Sequence, residues 1–131
     1  MTLYINCCVR EESRTERLAK AVLRKLAGEF TELNLYEENL KPLDRGTLNK
    51  RTALIEQGDY SDQMFDYAKQ FANADKIVIA APYWDLSFPA LLKTYIENIY
   101  ITGIVSAYDE SGMPVGLCKA KELYYVTTAG G

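Results

Sequence analysis

Three short segments of the sequence combine residue types that could hold a charged or flat ligand. The first is Ser13-Arg14-Thr15, which puts two hydroxyls and a guanidinium at the start of a predicted helix. A helix N-terminus has unpaired N–H groups and a partial positive charge, so it can bind a phosphate. With Glu16, the same residues also fit a capping box, in which Ser13 and Glu16 satisfy the helix end without a ligand. On this segment alone the capping box is the simpler interpretation.

The second segment, residues 82–85, reads Pro-Tyr-Trp-Asp and joins an apolar run to a helix that opens at Pro89. Two aromatic side chains on such a connection could lie along a flat ring ligand, while main-chain groups read its polar edge. The alternative is that both aromatics pack into the core and that Asp85 or Ser87 caps the helix. Composition alone slightly favours this alternative.

The third segment is Thr128-Ala129-Gly130-Gly131, at the end of the sequence. Glycine has no side chain, so the backbone of this segment could approach a ligand closely. Taken alone, the segment is equally well a flexible tail.

The chemistry open to this chain is limited by the residues that it lacks. The sequence contains no histidine, which removes the commonest general base, the Ser-His and Cys-His nucleophile pairs and most zinc sites. Its three cysteines, Cys7, Cys8 and Cys118, have neither a disulfide pattern nor metal-ligand spacing. We therefore predict reduced thiols, no metal site and no catalytic side chain, with a cofactor carrying the chemistry of any enzyme.

Length and charge indicate one domain without a polyanionic partner. The chain has 131 residues, 48% of them hydrophobic, and a net charge of −3. No basic block is present, which argues against nucleic-acid binding and against an anionic membrane surface. No apolar run is long enough to cross a bilayer, and the first residues do not resemble a signal peptide. We expect a soluble cytoplasmic protein.

Hydrophobic periodicity predicts alternating strands and helices. The predicted strands are residues 2–6, 31–35, 76–81 and 122–127. The predicted helices are residues 13–27, a short one around 48–56, 61–72 with Ser61 as its N-cap, and one opening at Pro89; residues 103–119 suggest a hairpin. This alternation is typical of an α/β protein with a parallel sheet. The three segments all follow strands, so they should meet at the carboxyl edge of that sheet, where ligands bind.

Taken together, the three segments resemble the flavodoxin-like NAD(P)H:quinone oxidoreductase and FMN-dependent azoreductase family over essentially the whole chain. The most specific part begins at Pro82. There the family has a proline, a Met-Tyr-Asn-Phe-like tetrapeptide, a small residue, an aliphatic residue and a second proline that opens a helix. This chain has Pro82, then Tyr83-Trp84-Asp85-Leu86, then Ser87-Phe88-Pro89, followed by a helix that contains Lys93-Thr94-Tyr95-Ile96.

The resemblance implies a flavodoxin-like three-layer sandwich with a parallel sheet of order 2-1-3-4. Residues 1–131 would form a single domain that lacks the family's later helix, fifth strand and final helix. The resemblance also implies an FMN site. Its residues would be Cys8, Ser13, Arg14 and Thr15 at the phosphate, Pro82, Tyr83, Trp84, Asp85 and Leu86 at the isoalloxazine and ribityl chain, and Thr128, Ala129, Gly130 and Gly131 on the other side of the flavin.

The implied activity is hydride transfer from NADH or NADPH to FMN, and then to a quinone, azo or nitro compound, in a homodimer. Two residues depart from the family pattern. Cys8, with Cys7 as the alternative, stands where the family has a serine, and a thiol is a weaker hydrogen-bond donor to phosphate. Asp85 replaces an asparagine, and its carboxylate should lower the reduction potential of the flavin. A binding or interaction module without turnover is the alternative, and an electron-carrying flavodoxin is a third possibility.

Overall fold

Four parallel strands form the central sheet of the computed structural model, which describes residues 1–129. They are Thr2–Asn6 (β1), Phe30–Asn34 (β2), Lys76–Ala80 (β3) and Glu122–Val126, which we number β6 because a short hairpin precedes it. The hairpin strands are Ser106–Tyr108 (β4) and Pro114–Gly116 (β5). The sheet order is β2-β1-β3-β6. This confirms the predicted order 2-1-3-4, in which the fourth long strand lies at an edge.

The described residues form four α-helices: Arg14–Leu26 (α1), Arg45–Glu56 (α2), Asp66–Asn73 (α3) and Ala90–Ile99 (α4). Residues of α1, α3 and α4 belong to the buried core, whereas α2 has no buried residue. The alternation of side chains along β1 divides the core between the two faces. Leu3 and Ile5 belong to the larger cluster, which contains residues of α3 and α4. Tyr4 belongs to the smaller cluster, which contains residues of α1. The helices thus form layers on both sides of the sheet, as the α/β pattern predicts.

Several predicted helix and strand boundaries differ from those observed because polar side chains cap the chain at other residues. Asp44 accepts a hydrogen bond from the Thr47 N–H at 2.8 Å, so α2 begins at Arg45. The prediction that Ser61 is an N-cap is wrong. A 3-10 turn at Gln63–Phe65 precedes α3, and the side chain of Asp62 caps that turn. β2 also lies one residue earlier than predicted, because Asn34 caps a 3-10 turn that starts at Leu35.

None of the helices within residues 1–129 has both the length and the apolar character that a membrane crossing requires.

The core between the sheet and α4 contains a hydroxyl without a partner. The Tyr95 side chain is 1% exposed, and within residues 1–129 its hydroxyl has no hydrogen-bond partner. Burying an unpaired hydroxyl is unfavourable. We therefore expect Tyr95→Phe to raise the free energy of unfolding by about 1 kcal/mol, measured by urea denaturation followed by circular dichroism.

Tyr67→Phe is the matched control for this substitution. The Tyr67 ring contacts that of Tyr95, but its hydroxyl donates to Glu38 Oε1 at 2.7 Å. Losing that bond should lower stability. If Tyr95→Phe also lowered stability, the Tyr95 hydroxyl would have to make a favourable interaction, contrary to this assignment.

Candidate functional site

The three loops that follow β1, β3 and β6 are joined by hydrogen bonds at the carboxyl edge of the sheet. The Cys7 N–H donates to the Ala80 carbonyl at 2.8 Å, and the Tyr83 N–H donates to the Thr128 carbonyl at 3.2 Å. The hydroxyls of Thr15 and Thr128 lie 2.7 Å apart and are hydrogen bonded. The start of α1, the loop after β3 and the loop after β6 therefore form one connected surface.

A cleft of about 240 Å³ opens between these loops. Of the residues predicted for the site, it is lined by Ser13, Arg14, Thr15, Pro82, Tyr83, Trp84 and Thr128. Val9, Arg10 and Glu12 also line it and were not predicted as site residues. The charges at Arg10 and Glu12 were visible in the sequence, but without the fold nothing showed that these residues face the cleft.

The N-terminus of α1 combines a cap with a remaining donor. Ser13 is buried, and its Oγ accepts from the Glu16 N–H at 3.1 Å, which confirms half of the predicted capping box. The Glu16 carboxylate instead accepts from Asn6 Nδ2 at 2.6 Å. A serine hydroxyl that accepts one hydrogen bond keeps its own proton for donation. Here the Ser13 hydroxyl is also hydrogen bonded to the Cys8 thiol, and sulfur is a weak acceptor that an anion could replace. The cap and an anion site are therefore compatible at this helix end.

The charges that line the cleft favour an anion. Arg10 and Arg14 bring two guanidinium groups to the lining, against the single carboxylate of Glu12. The partial positive charge of the helix N-terminus adds to the guanidinium groups. Positive residues thus outnumber acidic ones in the lining of the cleft.

The loop after β3 turns sharply between Trp84 and Ser87. The Trp84 N–H donates to the Ser87 carbonyl at 2.7 Å, and the Ser87 N–H donates back to the Trp84 carbonyl at 2.9 Å. The two residues between them have positive φ, 48° at Asp85 and 67° at Leu86. Positive φ at both central positions is the mark of a type I′ turn, which normally takes Asn-Gly. Asp85 tolerates this conformation better than Leu86 does.

The aromatic side chains of this loop remain accessible. Tyr83 is 44% exposed and Trp84 is 38% exposed, so the alternative that both pack into the core is wrong. Among the described residues no side chain caps α4, where Pro89 occupies the N-cap position. The alternative role of Asp85 or Ser87 as a helix cap is therefore wrong as well.

A second cleft, of about 530 Å³, adjoins the same turn. Trp84 lines both clefts, whereas Asp85 lines only the second, with Tyr36 and Phe88. Leu86 projects from the turn and is 85% exposed. The turn thus places aromatic surface, a carboxylate and an exposed leucine beside the first cleft.

Two adjacent cysteines lie beneath the first loop. Cys7 is fully buried, and this burial raises its pKa to about 11. Cys8 belongs to the smaller core cluster, and burial also raises the pKa of its thiol. The Cys8 N–H donates to Asn6 Oδ1 at 2.9 Å. Burial thus favours the protonated thiol at both positions, and neither cysteine belongs to the lining of the cleft.

Of the remaining predicted site residues, Ala129 is exposed at the end of the described chain. Gly130 and Gly131 lie outside the described residues.

The strained turn leads to a stability prediction. A left-handed conformation costs an L-residue roughly 1–2 kcal/mol, a cost that glycine avoids. After allowing for the flexibility of glycine in the unfolded chain, we expect Leu86→Gly to stabilise the protein by about 1 kcal/mol, measured by urea denaturation without added ligand.

Ser87→Gly is the control for this turn, because Ser87 does not have positive φ. At position 87 glycine relieves no strain and only adds conformational entropy to the unfolded chain. Ser87→Gly should therefore lower the free energy of unfolding. Equal effects of the two substitutions would contradict the assignment of strain to Leu86.

Comparison with known proteins gives consistent matches over the whole chain. The profile of a family described as having a flavodoxin-like fold matches residues 1–131. FMN-dependent NADH:quinone oxidoreductase 2 of Clostridium acetobutylicum is 39% identical over 98% of this chain and 67% of its own length. FMN-dependent NADH:quinone oxidoreductase of Clostridium perfringens is 36% identical over 98% of this chain and 68% of its own length.

Solved structures give the same result. The crystal structure of an azoreductase from Bacillus anthracis superposes with a TM-score of 0.82 at 28% identity. The match covers 99% of this chain and 69% of the azoreductase. The chain thus spans about two thirds of the length of these relatives.

Proposed function

Because the chain belongs to the flavodoxin-like fold family, we propose that it is an FMN-dependent oxidoreductase. It would use NADH or NADPH to reduce small-molecule acceptors such as quinones, azo compounds or nitro compounds. The observation that carries this proposal is the meeting of three loops at one cleft, with a helix N-terminus and two accessible aromatics. Relatives named FMN-dependent NADH:quinone oxidoreductases, 39% and 36% identical to this chain, support it.

The residues at the start of α1 fit the phosphate of FMN. The Ser13 hydroxyl can donate while it caps the helix, and Arg10 and Arg14 supply positive charge at the cleft. Thr15 is 1% exposed, and its hydroxyl bond to Thr128 ties the helix start to the loop after β6. Cys8 remains in the proposed site as a residue beneath the phosphate loop rather than as a phosphate donor.

The loop after β3 fits a flat ring system. Tyr83 and Trp84 offer aromatic surface beside the cleft, and Pro82 ends the strand there. Asp85 and Leu86 would contact the isoalloxazine or ribityl chain from the turn, and residues 128–131 would face the flavin from the other side. When bound, FMN supplies the redox chemistry by accepting a hydride and passing it to the acceptor. The part of this chain is to bind, orient and shield that group.

The proposal also covers the domain organisation, the oligomeric state and the location of the protein. Residues 1–131 act as a single domain, and two copies associate so that each contributes to the acceptor site. The exposed Leu86 beside the cleft suits such an interface. A cytoplasmic location fits the three free cysteines, since the cytosol keeps thiols reduced.

Trp84 provides a direct test, because it is the only tryptophan in the sequence. FMN bound beside it should quench its fluorescence, and riboflavin, which lacks the phosphate, should bind more weakly. NADH should then bleach the flavin absorbance under anaerobic conditions, and a quinone should restore it. Absence of quenching at micromolar FMN would contradict the proposal. Quenching without bleaching by either NADH or NADPH would identify a binding module without turnover.

A further inference from the structure

The second cleft, of about 530 Å³ beside the turn between Trp84 and Ser87, has aromatic walls. Three aromatic side chains line it: Tyr36, Trp84 and Phe88. Tyr36 is 43% exposed and Trp84 is 38% exposed, so a ligand can reach both rings. Aromatic side chains pack well against flat rings, and the face of an aromatic ring also attracts a cation. The second cleft therefore suits a flat ligand, and its rings favour one that carries positive charge.

Tyr36 is held in place although its ring is accessible. Its hydroxyl is hydrogen bonded to the thiol of the buried Cys7, and its N–H donates to Asn34 Oδ1 at 3.0 Å. Partial burial raises the pKa of the Tyr36 hydroxyl to about 12, so this ring is neutral at physiological pH. A side chain that is already fixed loses little conformational entropy when a ligand binds. The Tyr36 wall of the cleft is thus preorganised.

The charge of the second cleft is negative. Within residues 1–129 its lining contains the carboxylate of Asp85 and no lysine or arginine. None of the ion pairs among the described residues involves Asp85, so its charge remains free to interact with a ligand. The N-terminus of α4 also borders the cleft at Pro89 and Ala90. Its partial charge of about half a unit is smaller than the unit charge of a carboxylate.

The two adjoining clefts therefore differ in charge. Arg10 and Arg14 outnumber Glu12 in the first cleft, whereas Asp85 is the one charged side chain in the lining of the second. Trp84 contributes to both clefts. An anionic group and a cationic ring could thus be held side by side, with the same indole between them.

We propose that the second cleft binds a flat organic cation, whose ring packs against the aromatic walls and whose positive charge is compensated by Asp85. One extension rests on the proposed function: such a cation is an electron acceptor, and Asp85 selects positively charged acceptors over negatively charged ones. The binding itself does not require FMN, because Tyr36, Phe88 and Asp85 line the second cleft and not the first.

The test is equilibrium dialysis of three ring compounds against the 131-residue chain without FMN. N-methylquinolinium is a cation, quinoline has the same ring system and is neutral at neutral pH, and naphthoate is an anion. A carboxylate and aromatic faces together should make the cation bind about tenfold more tightly than quinoline. Naphthoate should bind most weakly, and added salt should reduce the differences.

Two substitutions locate the cation. Asp85→Asn should weaken the binding of N-methylquinolinium about fivefold and leave that of quinoline nearly unchanged, because only the cation interacts with the lost charge. Tyr36→Leu keeps an apolar side chain but removes an aromatic face, and should weaken binding of the cation about threefold. Asp66→Asn and Tyr100→Leu make the same changes outside both clefts and should have no effect.

Three results would overturn the proposal. The first is equal affinity for N-methylquinolinium and quinoline, and the second is unchanged affinity for the cation in Asp85→Asn. The third is a loss of cation binding in Tyr83→Leu without a loss in Tyr36→Leu. Tyr83 lines only the first cleft, so the cation would then lie there.

The extension to acceptors is tested separately with the FMN-loaded chain and two azobenzenes, one carrying a trimethylammonium group and the other a sulfonate. Asp85→Asn should lower the ratio of kcat/KM for the cationic to the anionic azobenzene about fivefold or more. A changed flavin potential affects both acceptors alike, so the ratio isolates the charge of the cleft. An unchanged ratio would overturn the extension. Failure to bind FMN would contradict the proposed function, whereas the dialysis result would stand.

Discussion

Replacing Arg14 by alanine should weaken FMN binding by about 10–100-fold, because a hydrogen bond to a charged group contributes about 1.5–3 kcal/mol. Arg14 lines the cleft at the first turn of α1, where its guanidinium adds to the positive helix end. The dissociation constant follows from quenching of the single tryptophan, Trp84, during a titration with FMN. The difference in FMN affinity between the parent chain and Arg14→Ala should become smaller as salt is added, because salt screens the attraction between the guanidinium and the phosphate in the parent chain.

Three comparisons separate a lost phosphate contact from a general disturbance of the site. Riboflavin has no phosphate, so its affinity should be the same for Arg14→Ala and the parent chain. Arg17→Ala removes a charge one turn further along α1, outside the cleft lining, and should have a much smaller effect. Glu12→Gln removes the carboxylate from the lining and should strengthen FMN binding. An equal loss of FMN and riboflavin affinity in Arg14→Ala would contradict the phosphate assignment.

The sheet could be predicted from the sequence because its pattern is simple. β1 and β3 are short apolar runs covered on both faces, and such strands are read directly from composition. The order of the strands came from the family resemblance. Boundaries were less certain because neighbouring polar residues compete as caps. Asp62 rather than Ser61 caps the turn before α3, and local sequence offers both residues as candidates.

The sequence predicted which three loops form the site, but not the hydrogen bonds that connect them. Thr15 and Thr128 are 113 positions apart and hydrogen bonded, and no local pattern connects them. The type I′ turn at Asp85 and Leu86 lacks the glycine that usually identifies such turns. The rest of the loop, including both hydrogen bonds between Trp84 and Ser87, must hold Leu86 in a conformation that its own sequence disfavours.

Asp85→Asn should raise the two-electron reduction potential of bound FMN. Asp85 follows Trp84 in the turn beside the cleft and lines the adjoining second cleft, so its negative charge opposes the charge that the flavin gains on reduction. We expect a shift on the order of 30 mV, which for a two-electron couple corresponds to about 1.4 kcal/mol of electrostatic interaction. The potential is measured by spectroscopic titration of the flavin against a reference dye.

Asparagine also tolerates positive φ, so this substitution should remove the charge and keep the turn. Urea denaturation of the protein without FMN should therefore give nearly the same midpoint for Asp85→Asn and the parent chain. Asp66→Asn makes the same change of charge on α3, outside both clefts, and should leave the potential within a few millivolts, roughly the size of a screened distant charge. If both substitutions shifted the potential equally, net charge rather than Asp85 would set it. An unchanged potential in Asp85→Asn, with FMN still bound, would place this carboxylate away from the flavin.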